Sequence, residues 1–379
     1  MFVWRGSVGH LHKCSGVRHV QSSHLAARLC GGYDSAMSRA DDEKFMRLAL
    51  REAARGVGRT SPNPAVGAVI VKAGRVLAKG WHRCAGGPHA EIEALRALGK
   101  PGLARGATLY VTLEPCCTQG RTPPCTDAIV QAGLARVVTG ATDPNPRHAG
   151  RGFAILQKAG IAVTTGVLAE RCTALNAAFT KWIRTGLPLV IAKAGLSLDG
   201  RLTRPSGEGA WLTSVQSRAD AMRLRAQVDA ILVGAGTVRA DNPRLTVRGL
   251  PGPAARQPWR VVLTRSGRMP KDAHLFSDEH RERTLVFRGK SLRAVLRDLA
   301  KRGCTSVMIE GGGALLGSAF DARLVDRVHF YLAPLLCGGP DAIGGLGAGS
   351  TRDAVKLENV SHRRIGPDLL LTADVSHRA

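Results

Sequence analysis

The sequence predicts two α/β domains in tandem, each built on a central sheet. Three observations carry this expectation. At 379 residues, 44% of them hydrophobic, the chain is long enough for two packed cores. From residue 41 onward, apolar runs of strand length alternate with segments of helical character. A break containing Gly and Pro at Arg184-Thr-Gly-Leu-Pro188 separates two such series, giving expected domains at 37–184 and 187–379.

The first series opens with a helix running to about Arg55, with Ala40-Asp41-Asp42-Glu43 as its cap and Phe45, Met46, Leu48, Leu50 and Ala53 as its apolar residues. Ser61-Pro-Asn-Pro64 is a turn, Val66 to Val71 a buried strand, and Lys72-Ala-Gly74 a hairpin turn into Val76 to Trp81. Gly86-Gly87-Pro88 ends a loop, and Ala90 to Leu98 reads as a helix. Ala107 to Leu113 is a buried strand that runs into Glu114-Pro115-Cys116. Cys125 precedes a short helix, Asp127 to Ala132, closed by Gly133; strand Arg136 to Gly140, helix Phe153 to Ala159 and strand Ile161 to Thr165 complete the series.

Within this half, His89-Ala90-Glu91, Pro115-Cys116 and Cys125 carry the chemistry. A catalytic zinc keeps three protein ligands and leaves a fourth position to water, and one imidazole with two thiolates is such a ligand set. Zinc deaminases of amino-heterocycles use H-x-E followed by P-C-x-x-C, with the Glu a proton shuttle rather than a ligand. His89, Cys116 and Cys125 are therefore the candidate zinc ligands and Glu91 the candidate catalytic residue; the departure is that Cys125 lies nine residues after Cys116 instead of three. The competing reading is a closed structural zinc site completed by Cys84 or Cys117. Asn63, held between two prolines, is a candidate hydrogen-bonding partner for a substrate base, or simply a turn residue.

The second series opens with strand Leu189 to Lys193 and a turn at Ser197-Leu-Asp-Gly200. A helix at about Ser217 to Arg225 leads to strand Ala230 to Val233 and the loop Gly234-Ala-Gly-Thr237. Later, strand Ser306 to Ile309 enters Glu310-Gly-Gly-Gly313 and a helix from Ala314 to Phe320. Both are strand–glycine loop–helix units, where free N–H groups and the helix dipole favour a phosphate. Neither is a full dinucleotide fingerprint, so tight turns that need small residues stand beside a nucleotide site as explanations.

The net charge of +25 and a pI near 10.8 raise nucleic-acid binding. Yet the cations are mostly scattered Arg, and aromatic residues are only 4%, which argues against a base-stacking surface. No apolar run reaches the roughly 18 residues of a membrane span. Nine cysteines, an odd number without secretory spacing, fit a reducing cytoplasm. Residues 1–36 are basic and lack an acid until Asp34, so they read as a disordered extension: a transit peptide, or the product of a start upstream of Met37.

Several motifs together carry a family resemblance. Thr60-Ser-Pro-Asn-Pro-Ala-Val-Gly67, Gly86-Gly-Pro-His-Ala-Glu91, Leu113-Glu-Pro-Cys116, Gly120-Arg-Thr-Pro-Pro-Cys125, Asp143-Pro-Asn-Pro146, Ser197-Leu-Asp-Gly200, Asp241-Asn-Pro-Arg-Leu-Thr246 and Ile309-Glu-Gly-Gly312 resemble the bifunctional riboflavin-biosynthesis deaminase–reductases. The resemblance runs from about Met37 to the C-terminus, and the long Cys116-to-Cys125 spacing is that family's variant of the deaminase motif. It implies an N-terminal cytidine-deaminase-like α/β domain and a C-terminal dihydrofolate-reductase-like α/β domain. The implied reactions are zinc-dependent loss of a 2-amino group from a phosphorylated pyrimidine and NADPH-dependent reduction of its ribosyl unit to a ribityl chain.

The resemblance places cofactor contacts on Gly195, Trp211, Thr237, Asp241 and the run Gly312, Gly313, Ala314, Leu315, Leu316, Gly317 and Ser318. It places substrate contacts on Gly209, Arg225, Leu245, Arg248 and Glu310, with Lys193, Asp241 and Glu310 as candidates for proton delivery. Near Thr264-Arg265 the residue type departs from the family's cofactor contact. The expected partner is a small phosphorylated pyrimidine, with no membrane, no nucleic acid, and a homo-oligomer as the assembly. A nucleic-acid deaminase of the tRNA type and a non-catalytic zinc- or RNA-binding relative are the alternatives. The cysteine spacing opposes the first and the intact Glu91 the second.

Overall fold

The computed structural model describes residues 38–100, 102–120, 122–202, 211–251, 256–339 and 341–377. The expected extension 1–36, the candidate residue Gly209, and Arg121 of the Gly120–Cys125 motif lie outside the described residues.

Five strands of the first half, β1 (Gly67–Lys72), β2 (Arg75–Trp81), β3 (Thr108–Leu113), β4 (Arg136–Ala141) and β5 (Ala162–Thr164), form a sheet in the order β2-β1-β3-β4-β5. β1 is antiparallel to β2 and β3, whereas β3, β4 and β5 run parallel. The β1–β2 hairpin turns on Ala73 and Gly74, both in the left-handed region at φ 47° and 71°, as a two-residue turn matched to strand twist requires. Six helices accompany this sheet: α1 (Arg39–Ala54), α2 (Ala90–Ala97), α3 (Cys125–Gln131), α4 (Arg151–Lys158), α5 (Ala169–Leu175) and α6 (Ala177–Thr185). The last two were not anticipated.

Two expected boundaries move for physical reasons. Helix α1 is capped by Ser38, whose hydroxyl accepts the Asp41 N–H at 3.2 Å, and not by the acidic cluster. Asp42 instead points into the core, where it binds Arg136 at 2.7 Å and accepts the Tyr110 hydroxyl at 2.8 Å. Helix α3 begins at Cys125 itself, after Pro124.

The second half forms an eight-stranded sheet from β6 (Leu189–Ser197), β7 (Ala230–Gly234), β8 (Trp259–Thr264), β9 (Thr284–Arg288), β10 (Ser306–Ile309), β11 (Arg327–Ala333), β12 (Leu357–Ile365) and β13 (Asp368–Val375). Its order is β12-β13-β11-β6-β10-β7-β8-β9, with the six strands from β11 to β9 parallel and β13 antiparallel to both neighbours. Helices α7 (Val215–Gln227), α8 (Ala235–Asp241), α9 (His274–Ser277), α10 (Leu292–Lys301) and α11 (Gly313–Asp321) belong to this half. Because β10 inserts between β6 and β7, the chain leaves their carboxyl ends in diverging directions, which opens a crevice there. No helix among the described residues is long and apolar enough to cross a membrane.

The halves are held together at several points. Lys181 pairs with Asp326, and the Trp182 indole N–H donates to the Ala300 carbonyl at 3.2 Å. A Cβ on Gly58 would stand 2.1 Å from the Ala226 carbonyl oxygen, so only glycine permits that approach. Thr305 meets Ser61 of the first half hydroxyl to hydroxyl at 3.3 Å, and within the second half buried Asp229 accepts the backbone N–H and hydroxyl groups of Thr305 and Ser306 at 2.8–3.1 Å, which pins the start of β10.

Helix α1 sits on β1 at backbone contact, since a Cβ on Gly67 would lie 2.1 Å from the Ala49 carbonyl oxygen and 2.4 Å from the Ala53 nitrogen. Gly67→Ala is expected to cost about 3 kcal/mol, because no rotamer change relieves a clash with backbone. Thermal melting checks this, and an unchanged Tm would show that α1 can lift off the sheet freely.

Candidate functional site

The three candidate zinc ligands arrive on separate elements. His89 is the N-cap of α2, Cys116 follows β3, and Cys125 opens α3. His89 Nδ1 lies 3.4 Å from Cys116 Sγ and 3.3 Å from Cys125 Sγ, and the Cys125 N–H donates to Cys116 Sγ at 3.3 Å. One ligand atom from each lies within 4.8 Å of the others. Tetrahedral zinc, with Zn–N near 2.0 Å and Zn–S near 2.3 Å, sets its nitrogen and sulfur ligands about 3.6 Å apart, so donor types and spacing both fit zinc. Among the described residues the group has three members, without Cys84 or Cys117, which is the open arrangement and not the closed one.

The charges in this cluster are shared. The hydrogen bond from Cys125 pulls Cys116 down, towards the thiolate, and the same bond together with burial pushes Cys125 up. Bonding to Cys116 raises His89. Glu91, on the first turn of α2 and 3% exposed, is lifted to about 7 by burial and by the Cys116 thiolate. A buried carboxyl poised there can both take and return a proton near neutrality.

Around the cluster lies a cavity of about 230 Å³ lined by Asn63, His82, His89, Glu91, Cys116, Asp143, Asn145, His148 and Phe179, among others. His82 was not anticipated from sequence. Its Nδ1 bonds the Pro88 carbonyl at 2.9 Å, so this nitrogen carries the proton and Nε2 accepts from Asn63 Nδ2 at 3.1 Å. Burial keeps His82 below the usual histidine range, hence neutral, and its ring stands edge-on to His89 at 5.3 Å. The arrangement fixes the Asn63 amide. Asn176, also unanticipated, adds a two-point clamp on Ala65, accepting its N–H at 2.8 Å and donating to its carbonyl at 2.9 Å. Glu114 accepts the N–H groups of Asp143, Gly150 and Gly152 at 2.9–3.1 Å and so folds the 143–152 loop over the cavity. The sequence signals for these residues were the Leu113-Glu-Pro-Cys116 and Asp143-Pro-Asn-Pro146 motifs, which carried no role for Glu114 or for the 143–146 loop.

A second cavity, about 480 Å³, opens at the carboxyl ends of β6, β10 and β7. Of the candidate cofactor contacts, Gly195, Trp211, Thr237, Asp241, Gly312, Gly313, Ala314 and Leu315 line it, as do Glu310 and Lys193. Leu316, Gly317 and Ser318 do not. Leu316 turns into the core, a Cβ on Gly317 would strike the Gly344 carbonyl at 1.9 Å, and the Ser318 hydroxyl donates back to the Ala314 carbonyl at 2.8 Å. The two glycine loops meet where the Gly312 N–H donates to Thr237 Oγ1 at 3.3 Å.

Glu310 is the hub of this site, its side chain 12% exposed. One oxygen accepts from Lys193 at 2.8 Å and the other from Arg225 at 2.7 and 3.0 Å. Burial works to raise Glu310, but the two cations win and hold it at about 2. Arg225 also donates to the Thr246 carbonyl at 3.0 Å, tying the hub to the segment that carries Arg248. Arg248 is lowered by burial and by the facing guanidinium groups of Arg225 and Arg244, a concentration of positive charge suited to a phosphate. Arg225, Leu245 and Arg248 are outside the lining of the cavity, and Leu245 is buried. Tyr331, unanticipated, lines the cavity beneath Lys193, whose Nζ is 5.9 Å from the ring centre.

An open His-Cys-Cys cluster beside a buried carboxyl, joined to an α/β unit with a crevice at its strand ends, defines a zinc deaminase coupled to a nucleotide-dependent reductase. Comparison with known proteins agrees. Residues 39–141 match the cytidine and deoxycytidylate deaminase zinc-binding region, and residues 188–371 match the RibD C-terminal domain. The chain belongs to the RibD family. Riboflavin biosynthesis protein RibD of Bacillus amyloliquefaciens is 42% identical over 88% of this chain and 96% of its own length. The Escherichia coli (strain K12) protein of the same name is 42% identical over 87% and 98%. The solved structure of Acinetobacter baumannii RibD superposes with a TM-score of 0.83 at 35% identity, covering 90% of this chain and 100% of that one. A diaminohydroxyphosphoribosylaminopyrimidine deaminase/5-amino-6-(5-phosphoribosylamino)uracil reductase from Thermotoga maritima gives 0.80 at 35% identity, covering 89% and 99%.

The Glu310 hub has a pH signature. Its folded value of about 2 lies below the ordinary 4.5, so its contribution is complete above 4.5 and is lost as pH falls towards 2. The stability difference between the wild type and Glu310→Gln should therefore be roughly 3 kcal/mol near neutrality and fall by more than half by about pH 3. Denaturant titrations along that pH series check it; a difference independent of pH would show that the carboxylate is not held charged by its partners.

Proposed function

We propose that this chain performs two consecutive steps of riboflavin biosynthesis, with residues 37–184 carrying deamination and 187–379 carrying reduction. The first step removes the 2-amino group of 2,5-diamino-6-(5-phosphoribosylamino)pyrimidin-4-one. The second converts the ribosyl unit of the resulting 5-amino-6-(5-phosphoribosylamino)uracil to ribityl. The observation that carries this reading is the cluster of His89 Nδ1 at 3.3 and 3.4 Å from two cysteine sulfurs, next to buried Glu91, in a chain of this family.

His89, Cys116 and Cys125 would hold the zinc, which supplies a Lewis acid that brings a water molecule towards neutral acidity. Glu91 takes the proton from the attacking water as the oxygen adds to the carbon bearing the amine. It then returns a proton to the departing nitrogen, which leaves as ammonia. Asn63, oriented by neutral His82, is placed to bind the pyrimidine ring edge. Its fixed amide presents one geometry to the substrate and so reduces the ordering that binding must impose.

In the second cavity, Gly195, Trp211, Thr237, Asp241 and the loop at 312–315 would hold NADPH, which when bound would supply the hydride for reduction at C1′ of the ring-opened sugar. The chain's own groups provide the rest. The glycine loops at 234–237 and 310–313 permit close approach of the cofactor, and Trp211 and Asp241 form part of the same wall. Lys193, paired with Glu310 across 2.8 Å, is the ammonium placed to deliver the proton that the opened sugar requires. Arg225 and Arg248 are the guanidinium groups suited to the ribose phosphate. The substrate is thus a small phosphorylated pyrimidine, and the seven described cysteines, all free, suit the reducing cytoplasm as its place of work.

Glu91→Gln separates metal binding from proton transfer. The variant should keep its zinc by elemental analysis and lose deamination by at least about a hundredfold. Reduction of the already deaminated substrate should be unchanged. Ammonia release at the wild-type rate would remove Glu91 from the mechanism.

A further inference from the structure

Arg260, on β8, is the largest fully buried side chain among the described residues, 1% exposed, and no role has been attached to it so far. Burying a guanidinium is costly unless its donors are satisfied. Here Nη1 donates to Asp278 Oδ2 at 2.6 Å and to the Arg244 carbonyl at 3.2 Å, and Nη2 donates to the Leu275 carbonyl at 3.0 Å, while the buried Nε has no hydrogen-bond partner among the described residues. Two residues short of the β8 strand, Gln257 makes a two-point clamp on Val247, accepting its N–H at 2.8 Å and donating to its carbonyl at 2.9 Å.

Both side chains act on the same stretch of backbone, 242–248. That stretch is held in an unfavourable conformation: Asn242 and Leu245 both have positive φ, at 40° and 51°, and Leu245 is buried. A branched-chain residue in the left-handed region persists only when its surroundings over-determine it. Arg260 grips the residue immediately before Leu245, Arg225 grips Thr246 immediately after it, and Gln257 grips Val247. Arg248 is the next residue in the chain. The backbone that leads into it is therefore held by side-chain bonds to the main chain of residues 244, 246 and 247.

We propose that Arg260 and Gln257 are positioning residues for phosphate recognition: they lock the 242–248 backbone so that the Arg248 guanidinium faces the substrate phosphate. The proposal rests on the reading of Arg248 as a phosphate contact. It assigns to the Asp278-paired arginine a part in substrate affinity, not in hydride transfer. Neither residue lines the cavity, so the role assigned to both is positioning and not catalysis.

The test uses the full-length enzyme with three variants, Arg260→Lys, Gln257→Leu and Arg248→Gln, assayed for reduction of the deaminated substrate. Arg260→Lys keeps a charge for Asp278 but cannot fork to two carbonyls, and Gln257→Leu keeps bulk without the clamp. Ribose 5-phosphate serves as a competitive inhibitor that carries the phosphate alone, with ribose as its control. Both positioning variants should raise the substrate KM and the ribose 5-phosphate inhibition constant roughly tenfold, with kcat and the NADPH KM unchanged. Lowered thermal stability with an unchanged inhibition constant would reduce Arg260 and Gln257 to structural residues and overturn the proposal. If Arg248→Gln also leaves the inhibition constant unchanged, the phosphate reading itself fails. If only Arg248→Gln raises it, that reading stands and the positioning proposal falls.

Discussion

Two thiols and an imidazole whose ligand atoms lie within 4.8 Å of one another form a donor set that a zinc ion would organise. The first half of this chain is arranged around that constraint. His89, Cys116 and Cys125 come from the start of one helix, the exit of a strand and the start of another helix. All three positions sit where regular backbone begins or ends, and each depends on the sheet that spaces those ends. Glycines at 67 and 80 let α1 and α2 settle on β1 and β2 at backbone contact. Glu114 and Asn176 then tie down the loops on either side. The resulting site is small and closely walled, which keeps Glu91 in a medium of low polarity and its proton exchangeable.

The second half solves a different problem with the same architecture. A parallel sheet with β10 inserted between β6 and β7 leaves an open crevice at the strand ends. Two cations beside that crevice are held in fixed positions. Glu310 supplies the fixing: one carboxylate holds Lys193 on one side and Arg225 on the other. Arg225 reaches on to the 242–248 segment, so Lys193 and the stretch that carries Arg248 are tied to one buried anion. This coupling makes Glu310 an anchor of geometry as much as a contact.

Much of this was legible in the sequence. The hairpin at Ala73-Gly74, the strand–glycine loop–helix units and the His-x-Glu and Pro-Cys motifs all rest on short-range rules, and such rules survive folding. The acidic run at 41–43 was misread because a local cap and a buried ion pair look alike in sequence; only the arrival of Arg136 from β4 distinguishes them. Helices α5 and α6 and strands β11–β13 were not separated from their surroundings. β12, exposed at nearly every residue, has no apolar pattern to read. His82, Glu114 and Asn176 act on residues distant in the chain, through bonds that no spacing rule encodes. In the run from Gly312 to Ser318, helix periodicity divides lining residues from core residues, and a motif quoted as a block cannot make that division.

The central claim is that one chain carries a zinc-dependent deamination and a zinc-independent reduction of the same intermediate. It is tested most directly by following ammonia release and NADPH oxidation together, on the diaminopyrimidinone ribosyl phosphate, with and without a zinc chelator. The account predicts ammonia first and NADPH oxidation second, with both lost in chelator and reduction restored when the deaminated substrate is supplied. NADPH oxidation that stays chelator-sensitive on the deaminated substrate, or ammonia release that survives removal of zinc, would contradict it.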